Sequence, residues 1–387
     1  MNSDNILLTG TTGVLGGRLL MELLSSTKAN IYCLSRDNNY DVAKKRIAKI
    51  LQVFDPDKQY YTQFLSRVIP IYGDLTKSYI GIKPNDYKEL AEKINLVIHS
   101  AANVKLFSSY KYLKPINVDG TARISQFCLL GNIPLVYIST FTTLGDKVYE
   151  KGFVFYENDL EVGQSFNNLN YERTKFEAEK IVRNIGMKGL KWLIVRPGDI
   201  FGDSQTGAYP LGLTTVQGFF YEIFRSVIET GYSPFSEENF DFSPVDYVAK
   251  ATLHLALTPS AYGNAFHLVN SVHKYFYEIM NLLIEYGYKI RMLPLLELIK
   301  IFKEHRMLRD GKVYSSIFTN MMAFVPDPEL YETAHFDTFK TLKFLENTNI
   351  RCPEADFDLI STYLDYCIKI GYLPSPENQK PLAQIRI

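Results

Sequence analysis

The sequence is short of the residues that build metal and disulfide sites. Its 387 residues contain only four cysteines: Cys33, Cys128, Cys352 and Cys367. They lack the CxxC spacing of a zinc or redox site, and cysteines this sparse are typical of thiols kept reduced in the cytoplasm. The six histidines show no metal-ligand spacing either. We therefore expect a cytoplasmic protein that holds no metal.

Long hydrophobic runs and an excess of charge are missing as well. No stretch approaches the roughly 18 uncharged apolar residues of a transmembrane helix, so no membrane-spanning segment is expected. The first apolar run, NILLTG, is too short for a secretory signal and has no basic leader. Lys and Arg number 42, as do Asp and Glu, so the sequence lacks the basic excess of a nucleic-acid-binding protein. No nucleic-acid partner is expected.

The sequence does contain a regular alternation of short apolar runs and helical stretches. The runs are NILLTG, NIYCLSR, RVIPIYGDL, NLVIHSAA, IPLVYIST and WLIVRPGDIFG. Buried parallel strands have such continuous apolar runs, and strands that alternate with helices indicate βαβ units. The pattern predicts an α/β protein with a Rossmann-type, doubly wound parallel sheet.

The pattern also predicts two parts of the chain. Residues 1–204 plus 241–270 are expected to form the Rossmann domain, with an insertion at about 38–66 of two helices separated by FDPDK. Residues 205–240 plus 271–387 are expected to form a smaller, mostly helical subdomain that binds substrate. An aromatic stripe in this subdomain could wall an apolar substrate groove or simply pack its core: Phe219, Phe220 and Phe224.

A glycine-rich turn follows the first strand and opens a helix. Its TGxxGxxG pattern lets backbone N–H groups approach a dinucleotide pyrophosphate at the helix N-terminus. The residues expected to contact the cofactor here are Gly10, Thr12, Gly13, Val14, Leu15 and Gly16. The second strand ends in Arg36 and then Asp37. Because a guanidinium matches the 2′-phosphate of NADPH, whereas an acid suits the 2′-hydroxyl of NADH, NADPH is favoured.

Other cofactor contacts are expected where later strands end. Asp74 suits an edge of the adenine, or it simply caps a helix. Asn103 is expected to order the loop over the nicotinamide, and Asn117 to brace nearby backbone. The further residues expected to bind the cofactor are Leu75, Ala101, Ala102, Pro197, Gly198 and Ile200.

A catalytic group is predicted in NYERTKFEAE. Tyr171 and Lys175 are four residues apart, hence on one face of a helix, and both are also expected to contact the cofactor. A tyrosine of pKa ~10 is a poor acid near neutrality, and a neighbouring ammonium is expected to lower that pKa. Ser139 and Thr140 follow the strand YIST and could orient a carbonyl group. Thr140, Tyr171 and Lys175 are the predicted catalytic residues.

Over roughly residues 5–270 these motifs resemble the extended short-chain dehydrogenase/reductase family, whose active-site hydroxyl falls on Thr140 in the STxxxxG pattern. HSAANVKLFSSYKYLKPINVDGT and RPGDIFGDSQTGAY resemble the thioester reductase subgroup: the terminal reductase domains of peptide synthetases, carboxylic acid reductases and aminoadipate reductases. NYERTKFEAEKIV is similar to fatty acyl reductases. The resemblance implies NADPH-dependent reduction of an acyl thioester to an aldehyde, and on to the alcohol if a second hydride follows.

The resemblance leaves the source of the thioester open. Terminal reductases commonly follow adenylation and carrier domains, which this sequence lacks, so a separate carrier protein or coenzyme A is expected to deliver the acyl group. Basic residues on the insertion could meet an acidic carrier or form a solvated face: Lys44, Lys45, Arg46 and Lys49. A nucleotide-sugar epimerase or dehydratase, or a non-catalytic NADP-binding regulator, are the alternative functions.

Overall fold

A seven-stranded parallel sheet forms the centre of the protein. The computed structural model describes residues 5–106, 108–213, 218–304 and 334–380. The strands are β1 Asn5–Thr9, β2 Asn30–Ser35, β3 Val68–Tyr72, β4 Leu96–His99, β5 Leu135–Ile138, β6 Val154–Phe155, β7 Trp192–Pro197, β8 Ile200–Phe201, β9 Tyr232–Pro234, β10 Asn239–Phe240, β11 Ser243–Pro244, β12 Ala265–Leu268, β13 Lys274–Tyr275, β14 Arg291–Leu293 and β15 His335–Phe336. The sheet order is β12-β7-β5-β4-β1-β2-β3. The predicted Rossmann-type fold is confirmed.

Helices connect the strands and cover both faces of this sheet. They are α1 Val14–Ser26, α2 Tyr40–Phe54, α3 Tyr61–Arg67, α4 Pro84–Lys93, α5 Tyr110–Asn117, α6 Asp119–Leu130, α7 Asn170–Gly186, α8 Phe219–Thr230, α9 Val245–Ala256, α10 Phe276–Tyr286, α11 Leu295–Glu304, α12 Phe339–Leu345 and α13 Phe357–Lys369. The insertion contains α2 and α3. Short 3-10 helices lie at Ser78–Gly81, Phe141–Tyr149, Pro259–Ala261 and Pro376–Asn378.

The strands are apolar because the sheet is buried on both faces. Leu7 and Leu8 of β1 point to opposite faces, and both are fully buried. One side packs on α1, α2 and α9, and the other on α4, α6 and α7. Since parallel strands all end at the same edge, the turns after β1, β2, β4 and β5 meet there.

A third apolar cluster lies beyond the sheet, among α8, α10 and α13. Phe201 stacks on Phe242 with ring centroids 4.0 Å apart and on Phe220 at 5.1 Å. Phe224 is fully buried in the same cluster, and Phe219 packs against it. The aromatic stripe on α8 therefore builds the core of this part of the protein.

The connection between β5 and α7 is tied to the C-terminal part of the chain. β6 pairs with β15, so that Val154 lies opposite His335. The buried carboxylate of Glu157 accepts hydrogen bonds from the backbone N–H of His267, Lys340 and Thr341. Glu157 thus satisfies the first N–H groups of α12, which a helix cannot satisfy itself.

Across the four described ranges, every helix is too short or too polar to cross a bilayer. Within those same ranges, no three His, Cys, Asp or Glu side chains are grouped so that they could hold a metal ion.

Candidate active site

The glycine turn brings three stretches of backbone into close contact. Gly10 has φ +80°, a left-handed conformation that favours glycine, and a Cβ there would lie 2.8 Å from the Ala101 backbone nitrogen. A Cβ on Gly16 would lie only 2.0 Å from the Gly10 carbonyl oxygen. Helix α1 begins after Gly13 without a side-chain cap or an acidic residue in its first turn. Its N-terminal N–H groups and its dipole therefore favour an anionic ligand.

A cleft of about 390 Å³ opens at this turn and follows the carboxyl edge of the sheet. The predicted cofactor residues that line it are Gly10, Thr12, Gly13, Val14, Arg36, Asp74, Leu75, Ala101, Ala102 and Asn103. Those that do not line it, as the described residues outline it, are Leu15, Gly16, Tyr171, Lys175, Pro197, Gly198 and Ile200. Gly16 lies behind the turn, where it lets α1 pack against Gly10.

Other residues that the sequence did not single out as cofactor contacts also line the cleft, among them Arg46, Lys105 and Tyr209. Arg46 lies on α2, one of the residues considered for carrier docking, and its Nη1 donates to Asp37 Oδ2 at 2.6 Å. The Ser35 hydroxyl donates to the same oxygen at 3.0 Å. Asp37, the acid that would suit NADH, is thus hydrogen-bonded to Ser35 and Arg46, and Arg36 precedes it in the chain.

Asp74 forms a tight turn at the end of β3. Its Oδ1 accepts from the backbone N–H and the hydroxyl of Thr76, at 2.9 and 2.7 Å. Although partial burial alone would raise the pKa of Asp74, these hydrogen bonds hold that pKa below its ordinary value. The carboxylate therefore stays charged in the wall of the cleft.

Asn117 links the cleft to the helix that carries the predicted catalytic pair. Its Oδ1 accepts from the Asn103 backbone N–H at 2.7 Å, and its Nδ2 donates to the Asn103 carbonyl at 3.0 Å. The same Nδ2 donates to the Thr174 hydroxyl, one residue before Lys175, at 3.0 Å. Asn117 thus braces the loop at Asn103 against α7, as expected from the sequence.

Lys175 is held beneath the end of β5. Its Nζ donates to the Ile138 carbonyl at 2.6 Å and lies 4.4 Å from the centroid of the Tyr137 ring. Burial lowers the pKa of Lys175 to about 7. The ammonium is therefore anchored by a carbonyl and an aromatic face, close to the two hydroxyl residues that follow Ile138.

The expected lowering of the pKa of Tyr171 by Lys175 is not what the structure gives. Burial raises the pKa of Tyr171 above its ordinary value, and the nearby carboxylates of Glu172 and Asp199 raise it further. The phenol is consequently neutral throughout the physiological range. That state suits a proton donor rather than a base.

Thr140 and Ser139 have different environments, although they are adjacent. The Ser139 hydroxyl donates to Glu179 Oε2 at 2.9 Å and faces a buried ion pair. Among the described residues, the Thr140 hydroxyl contacts its own turn, through Thr142 Oγ1 at 3.1 Å. The Ser139 hydroxyl is thus engaged by a carboxylate, and the choice of Thr140 as the reacting hydroxyl stays a prediction.

A buried ion pair supports this strand end from below. Arg196 on β7 donates to both oxygens of Glu179 on α7, at 2.6 and 3.1 Å, and neither side chain is exposed. Arg183 donates to Glu179 at 2.8 Å, and Arg196 also contacts His267 Nε2 at 3.0 Å. The ion pair fixes α7 against β7, and Ser139 joins β5 to it.

The sequence matches one family model over residues 8–252, more than half of the chain, and that NAD-binding family is described as male sterility protein. Among curated proteins, a linear gramicidin synthase of Brevibacillus parabrevis is 27% identical over 382 residues. The match covers 97% of this chain but only 7% of the synthase polypeptide.

Solved structures of reductase domains are also similar to this chain along nearly its whole length. The terminal R domain of the myxalamid PKS-NRPS biosynthetic pathway is 30% identical with a TM-score of 0.87, and the match covers 97% of this chain and 92% of that domain. A thiolation-reductase di-domain from an archaeal non-ribosomal peptide synthetase is 28% identical with a TM-score of 0.77, covering 96% and 76%. The chain therefore belongs to the NAD-binding family described as male sterility protein. Its members are NAD(P)-dependent reductases of the extended short-chain dehydrogenase/reductase type.

Proposed function

We propose that this protein uses NADPH to reduce an acyl thioester to an aldehyde. The observation that carries the proposal is the likeness, along nearly the whole chain, to a terminal reductase domain. The site is consistent with it, because a dinucleotide cleft and three candidate catalytic side chains lie at one edge of the sheet. A thioester delivered by a carrier protein is the first candidate substrate, and an acyl-CoA is the second.

The residues present fit a dinucleotide phosphate. The turn at Gly10 and Gly16 has no room for side chains, and the uncapped N-terminus of α1 suits the pyrophosphate. Arg36 and Arg46 both line the cleft beyond the end of β2. Two guanidinium groups there would hold the 2′-phosphate of NADPH by charge-assisted hydrogen bonds. NADH, which lacks this phosphate, would leave both groups without a ligand.

The exchange Arg36→Gln tests this preference. We expect the KM for NADPH to rise at least about tenfold, because a hydrogen bond to a charged group contributes about 1.5–3 kcal/mol. The KM for NADH should hardly change, since NADH offers Arg36 no phosphate. Steady-state kinetics with each cofactor measures both values. The exposed Lys28→Gln is the matched control and should leave both unchanged, whereas equal losses for NADPH and NADH would contradict the preference.

The catalytic residues would act on the carbonyl oxygen. Bound NADPH supplies the hydride that adds to the thioester carbonyl carbon. The Thr140 and Tyr171 hydroxyls would donate hydrogen bonds to that oxygen as negative charge develops on it. Tyr171, whose raised pKa keeps it protonated, would then transfer its proton to the oxygen. Lys175, anchored at the Ile138 carbonyl, would stabilise the phenolate that is left.

The tetrahedral product of this step is a hemithioacetal. Its carbon–sulfur bond breaks as the hydroxyl proton is lost, which releases a thiol and leaves an aldehyde. One NADPH and one proton are consumed for each thioester, and one thiol and one aldehyde are formed. A second round on the aldehyde would give the alcohol by the same proton transfer from Tyr171.

The experiment follows NADPH oxidation, free thiol and trapped aldehyde together, with acyl groups on coenzyme A and on a phosphopantetheinyl carrier protein. We expect the three to change in equal amounts with at least one thioester. Further NADPH consumption without further thiol would indicate reduction to the alcohol. NADPH binding with no turnover of any thioester, while a nucleotide sugar is converted, would overturn the proposal in favour of an epimerase or dehydratase.

A further inference from the structure

The GDSQTG segment follows β8 and lies between the cofactor helix α1 and the substrate-side helix α13. Asp203 is buried after β8, where its Oδ2 accepts from Arg18 Nε at 3.1 Å. Arg18 lies on α1, one helical turn beyond the glycine turn, and its Nη1 donates to Glu22 at 2.5 Å. Arg18 is only 4% exposed and Asp203 8%, so solvent does not screen this pair as it would a surface pair.

The two oxygens of Asp203 have separate roles. While Oδ2 faces Arg18, Oδ1 accepts from the backbone N–H groups of Gln205 and Thr206, at 3.0 and 3.1 Å, and from the Thr206 hydroxyl at 3.1 Å. The Gly207 N–H closes the same turn by donating to the Asp203 carbonyl at 2.8 Å. One carboxylate therefore shapes the loop and also fixes it to α1.

The far side of this loop packs against the substrate-side core. Gly207 has φ +70°, and a Cβ there would lie 2.3 Å from the Thr362 carbonyl oxygen on α13. The Tyr366 hydroxyl, also on α13, donates to the Tyr209 carbonyl at 3.1 Å. Tyr209 itself is buried and lines the cofactor cleft, and the centroid of its ring lies 4.7 Å from that of Tyr221 on α8. The loop is thus in contact with α1, α8 and α13.

We propose that Arg18 and Asp203 are positioning residues that hold the substrate-side helices in register with the cofactor helix. An ion pair rooted in α1 fixes the loop, and the loop fixes Tyr209 and α13. Movement of the cofactor turn is thereby passed to the substrate side. The effect on turnover rests on the proposed function, whereas the mechanical coupling does not.

The exchange Asp203→Asn removes this link selectively. The side-chain oxygen of Asn can still accept from Gln205 and Thr206, whereas its amide group replaces the oxygen that faces Arg18. We expect kcat/KM for the thioester to fall roughly 10- to 100-fold, because a displacement near 1 Å can cost that much. The dissociation constant for NADPH should change less than about threefold, since the glycine turn is untouched. A merely structural role would instead lower kcat/KM and weaken NADPH binding to a similar extent.

A double-mutant cycle with Arg18→Lys and a surface control complete the test. If the two residues act as a unit, the double variant should be no worse than the poorer single one. Glu229→Gln, which also removes a carboxylate from an arginine but in a partly exposed pair on α8, should leave both constants unchanged. Fully additive losses in the cycle would overturn the proposal.

Hydrogen exchange gives a readout that needs no turnover. In the wild type, NADPH should slow amide exchange in α1 and also in α13, whereas in Asp203→Asn only the slowing in α1 should remain. An equal response of α13 in both proteins, or none in the wild type, would overturn the coupling. If the wild type couples the helices but reduces no thioester, the proposed function fails and the coupling stands.

Discussion

Replacing Tyr171 by Phe should lower kcat/KM for the thioester by about 10²–10⁴-fold, the usual contribution of a positioned proton donor. The phenol hydroxyl is the group that would donate to the carbonyl oxygen. Because burial and the neighbouring carboxylates Glu172 and Asp199 raise the pKa of Tyr171, the proton is present at every pH near neutrality. The pH–rate profile of the wild type should therefore show no loss from ionisation of this tyrosine.

Steady-state kinetics and NADPH binding test this prediction together. The dissociation constant for NADPH should change less than about threefold in Tyr171→Phe, since the variant loses one hydroxyl and keeps the ring. Tyr156→Phe, which removes the hydroxyl of an exposed tyrosine in the same β5–α7 connection, is the matched control and should retain full activity. A Tyr171→Phe protein with at least half the wild-type rate would exclude the assigned role.

Replacing Glu179 by Gln should lower the free energy of unfolding by about 3–5 kcal/mol, because it leaves the buried charge of Arg196 without its carboxylate. Burial alone would raise the pKa of Glu179, but the charge and hydrogen bonds of Arg196 outweigh it and hold that pKa below 4.5. Urea denaturation measures the change, with Glu161→Gln from the exposed pair with Lys180 as the control.

The free energy of unfolding should also depend on pH through the Glu179 carboxylate, and its lowered pKa fixes the direction of that dependence. Because the folded state holds this carboxylate ionised to lower pH, the unfolded state binds more protons as the pH falls below the ordinary value of 4.5. The stabilisation is present above that pH and is lost as the pH falls through the lowered pKa. The difference in stability between wild type and Glu179→Gln should therefore shrink in acid. If the difference in stability did not change with pH, the loss in Glu179→Gln would have a cause other than the ionised carboxylate.

The sheet could be predicted from the sequence, because the apolar pattern that indicates a buried strand lies within the strand itself. Buried strands such as NLVIHSAA are continuous apolar runs, and the TGxxGxxG pattern directly after β1 indicates the turn, although Gly10 also contacts Ala101, 91 positions away. Asn103 was singled out by its place after the strand NLVIHSAA, and Asn117 was expected to brace nearby backbone. The choice of Thr140 rather than Ser139 came from the resemblance and stays a prediction, whereas the contact of Ser139 with Glu179 is seen only in the structure.

Contacts between distant segments could not be predicted. Arg46 enters the cleft only because α2 folds back over the end of β2, and its residue type alone equally suited a solvated face. The pKa of Tyr171 depends on Asp199, which is 28 positions away in the chain, as well as on burial. GDSQTG was recognisable as a motif, but its contact with Arg18 spans 185 positions. The division into two domains at 204, 240 and 270 stays a prediction.

The pairing of β6 with β15 limits where this reductase can be recombined with a relative. A chimaera joined after β12 would take the β5–α7 connection from one parent and α12 from the other. Glu157 would then depend on the backbone N–H groups of a foreign α12 in place of those of Lys340 and Thr341, and a shift of that helix would leave the buried carboxylate short of donors, which is costly. Exchange of the substrate-side part should therefore carry residues 154–157 along with 335–341, as one unit made of two separate pieces of sequence.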